Sequence, residues 1–97
     1  MSQATEALSR AQTVRLARYA LRREIKAGDT TVAAVLREPI HPDIEGWAIF
    51  ELIRSAPRFG RHRTVNLLWR HRIGELRKLG ELTERQKLAL ADDLEGR

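Results

Sequence analysis

The segment SAPRFGRHRTVNLLWRHRIGELRKLG, residues 55–80, decides how the rest of the chain is arranged. It holds two predicted turns, residues 57–60 and 73–80, on either side of one short helix. Residues 54–78 carry eight basic side chains and one acidic one, Glu75, whereas the preceding part of the chain carries seven of each. The positive charge is therefore local, which is typical of a surface that binds a polyanion.

The composition favours one small domain, because 97 residues bury a modest core and no second one. The absence of cysteine excludes disulfides, thiolate metal sites and cysteine nucleophiles. No apolar run approaches the ~18 residues of a membrane span, and the N-terminus lacks the pattern of a signal peptide. We therefore expect a soluble cytoplasmic protein with no membrane partner.

Helical periodicity recurs along the chain, and no run alternates with the period of a strand. Gly28 and Pro39 end the first two helices, and Thr83 opens a capping box at the start of the last. We predict an all-α single domain of about five helices, with a long N-terminal helix (1–28) packed on a helix–two-turn–helix region (29–97). The predicted helices cover residues 4–27, 31–38, 47–56, 61–71 and a fifth from residue 83.

Apolar residues at helical spacing predict one aliphatic core. Asp29 or Thr30 is expected to cap the second helix. Trp69 is interpreted as a core residue, and Leu76 and Leu79 as anchors that hold the second turn against the core. The other predicted inward residues are Val14, Ala17, Leu21, Ile25, Val32, Val35, Leu36, Trp47, Ile49, Leu52, Ile53, Ala56, Val65, Leu68, Leu88, Ala91 and Leu94.

Pro57 opens the first turn and Gly60 closes it, and Gly60 is expected to permit a backbone geometry that a side chain would obstruct. Free backbone N–H groups at the start of the next helix suit a phosphate. Arg58, Arg61 and Arg63 would add charge-assisted hydrogen bonds to the same oxygen atoms. The alternative is an ordinary helix–helix turn.

Arg77 and Lys78 lie in the second turn and are expected to project outward, and Gly80 closes that turn. Arg70 and Arg72 lie just before it and add positive charge. The helix between the turns spans roughly 15–17 Å at 1.5 Å per residue, which lets both turns contact one region of a DNA groove. A solvated basic loop is the alternative.

Charges outside this segment receive simpler interpretations. The acids near the C-terminus, Asp92, Asp93 and Glu95, are interpreted as a solvated tail. The first helix carries a basic stripe that we interpret as a solvated face, with a second phosphate-contacting surface as the alternative. The residues of this stripe are Arg15, Arg18, Arg22 and Lys26.

Catalysis has little support in the sequence. The three histidines lack metal-ligand spacing to one another, so they are interpreted as surface residues, with His62 and His71 near phosphate. No serine lies in a nucleophile elbow, and no glycine-rich phosphate loop is present. We expect no enzyme activity, no catalytic residue, no metal site and no cofactor.

The order of elements over residues 14–95 resembles the actinobacterial type of integration host factor. These small nucleoid-associated proteins carry a helix–two-turn–helix domain related to that of a small-subunit ribosomal protein. The family's Pro-Gly-x-Gly turn matches at Pro57 and Gly60, with Arg58 in place of its first glycine.

The family's second turn ends in Arg-Gly-Leu-Gly and matches at Arg77, Leu79 and Gly80, with a lysine in place of its first glycine. Gly74 and Glu75 stand where the family has two further arginines. These departures indicate a divergent, phage-borne member.

The resemblance implies sequence-tolerant binding of double-stranded DNA, DNA bending, nucleoid organisation and assistance to phage integration. A phage integrase or a nucleoid complex would then be a further partner, and we expect a monomer located in the nucleoid. Two alternatives stay open. One is a structured-RNA or ribosome-associated protein, and the other is a helical protein–protein module that uses the region of residues 47–50 as an exposed surface.

Overall fold

The computed structural model describes residues 3–96, with side chains from residue 5 onward. The described residues form five α-helices and no β-strand, which confirms the predicted all-α class. A single turn of 3-10 helix, Leu79–Glu81, precedes the last helix. The α-helices, named α1 to α5, are Gln3–Ala27, Val32–Arg37, Ile49–Arg54, Arg61–Arg70 and Glu84–Leu94.

Helix α1 has 25 residues and ends at Gly28, as predicted. Gly28 has a φ of +82°, and its N–H donates to the Ile25 carbonyl at 3.2 Å, while the Asp29 N–H donates to the Glu24 carbonyl at 2.9 Å. These bonds form a Schellman motif, in which a left-handed residue satisfies the last carbonyls of a helix. Residues 5–13 are exposed, so only the second half of α1 packs on the core.

Helix α2 is capped by Thr31, whose side-chain oxygen accepts a hydrogen bond from the Ala34 N–H at 3.0 Å. The predicted caps, Asp29 and Thr30, are wrong. The Asp29 N–H is still bonded back into the end of α1, and the chain takes the extended conformation of an N-cap only at Thr31.

Helix α4 presents a different face to the core than the sequence predicts. Thr64, Leu67 and Leu68 are buried, whereas Trp69 is 76% exposed, so its interpretation as a core residue is wrong. The Thr64 hydroxyl donates to the Gly60 carbonyl at 2.8 Å, which removes most of the cost of burying a polar group. A threonine therefore takes the inward position and the tryptophan turns outward.

The second turn is anchored by one of its two predicted leucines. Leu79 is fully buried, and its N–H donates to the Trp47 carbonyl at 2.9 Å. Leu76 is 88% exposed, so its predicted anchoring role is wrong. The Arg77 N–H donates to the Gly74 carbonyl at 3.1 Å, and this bond closes a tight turn whose tip carries Leu76 away from the core.

Helix α5 begins with the predicted capping box, but its packing face begins at Lys87. The residues at helical spacing from Lys87 are Leu90, Ala91 and Leu94, and Leu90 is fully buried. Leu88, predicted to face inward, is 44% exposed. The aliphatic stem of a lysine can serve as apolar surface while its ammonium group reaches out, which a reading of hydrophobic residues alone misses.

One aliphatic core runs through all five helices. Helix α2 packs against α5, and α3 packs against α4. Trp47 and Phe50 are both buried in this core, which leaves no exposed aromatic surface at residues 47–50. The buried apolar residues are Ile25, Val32, Ala33, Leu36, Ile44, Trp47, Ile49, Phe50, Leu52, Ile53, Leu67, Leu68, Ile73, Leu79, Leu82, Leu90 and Ala91.

The acids at the end of α5 hold helices together, so their interpretation as a solvated tail is wrong. Arg37 of α2 donates to the Asp92 carboxylate at 2.6 Å and also to the Glu95 carboxylate. Asp93 accepts hydrogen bonds from Arg70 at 3.1 Å and pairs with the His71 ring at 2.8 Å. These pairs join α5 to α2 and to the end of α4.

The charge of Asp93 should contribute to stability. Partial burial raises the pKa of Asp93, but the hydrogen bonds with His71 and Arg70 outweigh burial and hold the pKa below its usual value. A carboxyl with a depressed folded-state pKa stabilises the fold above its unfolded pKa, and that contribution is lost as the pH falls through the folded pKa.

We therefore expect Asp93→Asn to lower the free energy of unfolding at pH 7 by about 1–2 kcal/mol. The difference from the unsubstituted protein should shrink as the pH falls below about 4, where the carboxyl is protonated first in the unfolded chain and then in the folded protein. Urea unfolding at several pH values measures the loss of stability at pH 7 and its dependence on pH. Asp29→Asn, just after the exposed end of α1, is the matched control. An equal loss at every pH would contradict this role of the charge.

Candidate nucleic-acid interface

The two predicted turns lie at opposite ends of α4, whose ten residues span about 15 Å. The first turn joins α3 to α4. The second turn returns to the start of α3, where the Ile49 N–H donates to the Arg77 carbonyl at 2.9 Å and Ala48 pairs with Lys78 as an antiparallel bridge. Helix α3 thus fixes where the second turn lies relative to the first.

The first turn contains a strained arginine. The Phe59 N–H donates to the Ala56 carbonyl at 3.3 Å, with Pro57 second in the turn and Arg58 third. Arg58 has a φ of +72°, in the position where a type II turn prefers glycine. The Arg63 guanidinium supports this backbone, because it lies 4.3 Å from the centroid of the Phe59 ring and donates to the Arg58 carbonyl at 3.4 Å.

Gly60 does not have the conformation expected of it. Its φ of −78° and ψ of −179° are open to any residue, and a Cβ added there would meet nothing within 4 Å. The prediction that a side chain would obstruct this position is wrong. Gly60 is instead the N-cap of α4 and gives it no side-chain cap, so the N–H groups of the first helical turn have no intrahelical partner.

Arg61 shares an aromatic ring with an arginine that we did not predict as a site residue. The guanidinium groups of Arg61 and Arg54 each lie 5.8 Å from the centroid of the Phe50 ring. Both arginines are exposed, so the ring orients them at the edge of the first turn without neutralising them. The signal for Arg54 was its position four residues after Phe50 on α3.

Helix α4 ends in a Schellman motif with an arginine in the position that usually holds glycine. The Ile73 N–H donates to the Leu68 carbonyl, and the Arg72 N–H donates to the Trp69 carbonyl, both at 3.0 Å. Arg72 has a φ of +55°, the counterpart of Gly28 at the end of α1. The predicted contact residue Arg72 is therefore held at the exit of the helix by a defined backbone motif.

Four residues of the described range 3–96 have a left-handed φ, and two of them are not glycine. Gly28 and Gly96 lie at the ends of α1 and α5, away from the basic segment. Arg58 lies in the first turn, and Arg72 lies just before the second turn, at the end of α4. A side chain in this conformation costs roughly 1 kcal/mol, which glycine avoids.

The second turn brings out Arg77 and Lys78 as predicted, and both are exposed. The Lys78 N–H donates to the Glu81 carboxylate at 2.8 Å, which caps the short helical turn that follows. Gly80 packs closely against Glu45. The Gly80 N–H donates to the Glu45 carbonyl at 2.8 Å. A Cβ added to Gly80 would lie 3.0 Å from the Glu45 Cβ and 3.2 Å from the Glu45 carbonyl oxygen.

Arg70 differs from the other predicted contact residues because its charge already has a partner. Its guanidinium donates to both carboxylate oxygens of Asp93, at 3.1 and 3.2 Å. His71 shares the same carboxylate and is mostly buried, so it is a structural residue rather than the surface residue we predicted. This pairing weakens the assignment of Arg70 as a phosphate contact.

The basic stripe of α1 lies beside the second turn. Arg15, Arg18 and Arg22 line a cavity of about 520 Å³ together with Trp47 and Ala48, and Ala48 is bridged to the second turn. Arg18 and Arg22 are half-buried, and the Arg22 guanidinium lies 5.5 Å from the centroid of the Trp47 ring. The interpretation of the stripe as a solvated face is therefore wrong for these two residues.

Within residues 3–96, no group of three or more histidine, cysteine or acidic side chains could hold a metal ion. Over the same residues, no helix combines the length and the apolar character that crossing a membrane requires.

Comparisons with known proteins show the fold. No protein-family model matches the chain, and no curated protein matches it. A solved structure described as sIHF, an integration host factor, bound to an 8-bp palindromic DNA superimposes with a TM-score of 0.78 at 21% identity. The match covers 88% of this chain and 97% of that one. The chain therefore has an integration-host-factor-like fold, while the actinobacterial type and the phage origin stay predictions.

The close contact at Gly80 should make it sensitive to substitution. We expect Gly80→Ala to lower the free energy of unfolding by about 1–3 kcal/mol, because the new methyl group presses on the backbone of residue 45. Gly74→Ala is the matched control, since its Cβ would meet nothing within 4 Å. Chemical denaturation of both variants measures the effect, and similar stabilities would show that the turn gives way without cost.

Proposed function

We propose that this chain is a non-enzymatic architectural protein that binds duplex DNA through its phosphate backbone, with little dependence on base sequence. One observation carries the proposal: each end of α4 is flanked by an arginine, Arg58 or Arg72, in a backbone conformation where glycine would be more stable. Strain of this kind clusters at functional sites, since the surrounding fold must maintain it. In place of a glycine, the chain has a cationic side chain at each of these two positions.

The neighbouring groups suit phosphate. The first turn combines the open N-terminus of α4 with the side chains of Arg58, Arg61 and Arg63, and the second adds Arg72, Arg77 and Lys78. Backbone N–H groups and guanidinium groups are common donors to phosphate oxygens, and such contacts position a protein on DNA without reading its sequence. The fold shared with a DNA-bound integration host factor supports this proposal.

The finer expectations form part of the same proposal. We propose that residues 29–97 form the DNA-binding region, that the protein acts in the nucleoid as a monomer, and that it bends DNA and assists phage integration. The rival protein–protein module is disfavoured, because Trp47 and Phe50 are 3% and 7% exposed and offer no docking surface.

Binding should be strongly salt-dependent. With about 4–6 phosphate contacts, the logarithm of the association constant should fall with the logarithm of salt concentration with a slope near −4 to −5. Fluorescence anisotropy on a random-sequence duplex measures this slope. Arg58→Ala and Arg77→Ala should each weaken binding to any duplex and reduce the slope by about one.

Arg85→Ala on α5 is the control, because it removes an exposed arginine that belongs to neither turn. A slope close to zero would contradict the proposal. A larger loss in Arg15→Ala or Arg18→Ala than in the turn variants would show that the stripe of α1 is the main contact surface. Duplex RNA of equal length should compete poorly, since its grooves differ in width and depth; stronger competition would favour the RNA-binding alternative.

A further inference from the structure

Trp69 is exposed in a way that tryptophan rarely is. Its side chain is 76% exposed on the last turn of α4, whereas the other tryptophan, Trp47, is 3% exposed. Tryptophan is a large apolar residue that is highly buried on average, so an exposed one in a small protein marks a candidate contact surface. The exposed side chain of Trp69 is not part of the hydrophobic core on which α4 packs.

Trp69 lines a groove of which the DNA-binding proposal uses only Arg72. The groove has a volume of about 580 Å³ and is lined by Trp69, Arg72, Ile73 and Gly74. Ile73 is 5% exposed and forms an apolar floor. A Cβ on Gly74 would meet nothing within 4 Å, so that edge of the groove is open. An aromatic wall, an apolar floor and a cation make a site for a flat, partly apolar group attached to an anion.

The groove is continuous with the proposed DNA contact surface. His62, Asn66 and Trp69 follow one another at helical spacing along the exposed side of α4, from the first turn to the second. Helix α4 contains no acidic residue. Arg72 belongs both to the groove and to the set of phosphate contacts, because the Schellman motif fixes its backbone beside Trp69.

We propose that this groove binds one unstacked nucleobase. The inference rests on the proposed function. The base would stack on the indole of Trp69 while the guanidinium of Arg72 contacts the phosphate of the same or the next nucleotide. Base–aromatic stacking is tolerant of sequence because every base has a π face. Pulling a base out of an intact duplex costs several kcal/mol, and a base that is already unpaired avoids most of that cost.

The protein should therefore prefer DNA that carries an unpaired base over perfectly paired DNA. Three probes separate the causes: a perfect duplex, the same duplex with a single-nucleotide bulge, and the same bulge with an abasic nucleotide. The unsubstituted protein should bind the bulged duplex about tenfold more tightly than the perfect one. The abasic bulge, which keeps the flexibility but lacks the base, should lose this preference.

Intrinsic fluorescence gives a direct readout of the groove, because Trp69 is the exposed tryptophan and Trp47 is buried. The bulged duplex should quench the emission more than the abasic one. Trp69→Ala should lose the preference for the bulge but bind the perfect duplex as before, and Trp69→Phe should keep part of it. Leu76→Ala is the matched control, since it removes another exposed apolar side chain, 88% exposed, and should change nothing.

Three results would overturn the inference while duplex binding is intact: equal affinity for bulged and perfect DNA, an equal preference for the abasic bulge, or an unchanged preference in Trp69→Ala. Equal affinity of the unsubstituted protein for bulged and perfect DNA would indicate that Trp69 contacts a different kind of partner, such as an acidic peptide. Absence of binding to the perfect duplex at low salt is a different failure, because it contradicts the proposed function itself.

Discussion

Three backbone hydrogen bonds tie the second turn to the loop and helix start that precede the first turn. They join Ile49 to Arg77, Leu79 to Trp47 and Gly80 to the carbonyl of residue 45, at 2.8–2.9 Å. These bonds join residues 45–49 to residues 77–80, just before α5 begins. They hold the chain that follows α4 against the start of α3, so the basic groups at both ends of α4 stay at a fixed separation. Burial of Leu79 and the close packing at Gly80 leave the second turn little freedom to move independently. These backbone bonds therefore fix the position of the second turn relative to the start of α3.

The backbone conformation of two arginines distinguishes them from the other basic side chains. Basic side chains are common on protein surfaces, and Arg70 shows that some of them serve structural pairs. Arg58 and Arg72 differ, because each occupies a left-handed backbone position that glycine fills at the ends of α1 and α5. A fold optimised for stability alone would place glycine there as well. The cost at both turns is the physical argument for a site that needs its cations at these points.

Periodicity and capping residues predicted most of the fold, since they are local properties of the chain. Some predictions failed because a polar group was buried with a partner: Thr64 faces inward, where the carbonyl of Gly60 accepts its hydroxyl, and Trp69 faces outward. The pair of His71 and Asp93 lies 22 residues apart in sequence, beyond any local pattern. At the site, the sequence showed where the basic residues lie but did not specify their backbone dihedral angles. The positive φ of Arg58 could therefore not be predicted from the sequence.

The most direct test of this account is the thermal unfolding of the double variant Arg58→Gly/Arg72→Gly with and without duplex DNA. Without DNA, the variant should melt at a higher temperature than the unsubstituted protein, because each glycine relieves roughly 1 kcal/mol of backbone strain. With excess DNA at low salt, the order should reverse, because a ligand stabilises the protein that binds it more tightly. A variant that stays more stable in both conditions would contradict the claim that these arginines are held in place for DNA.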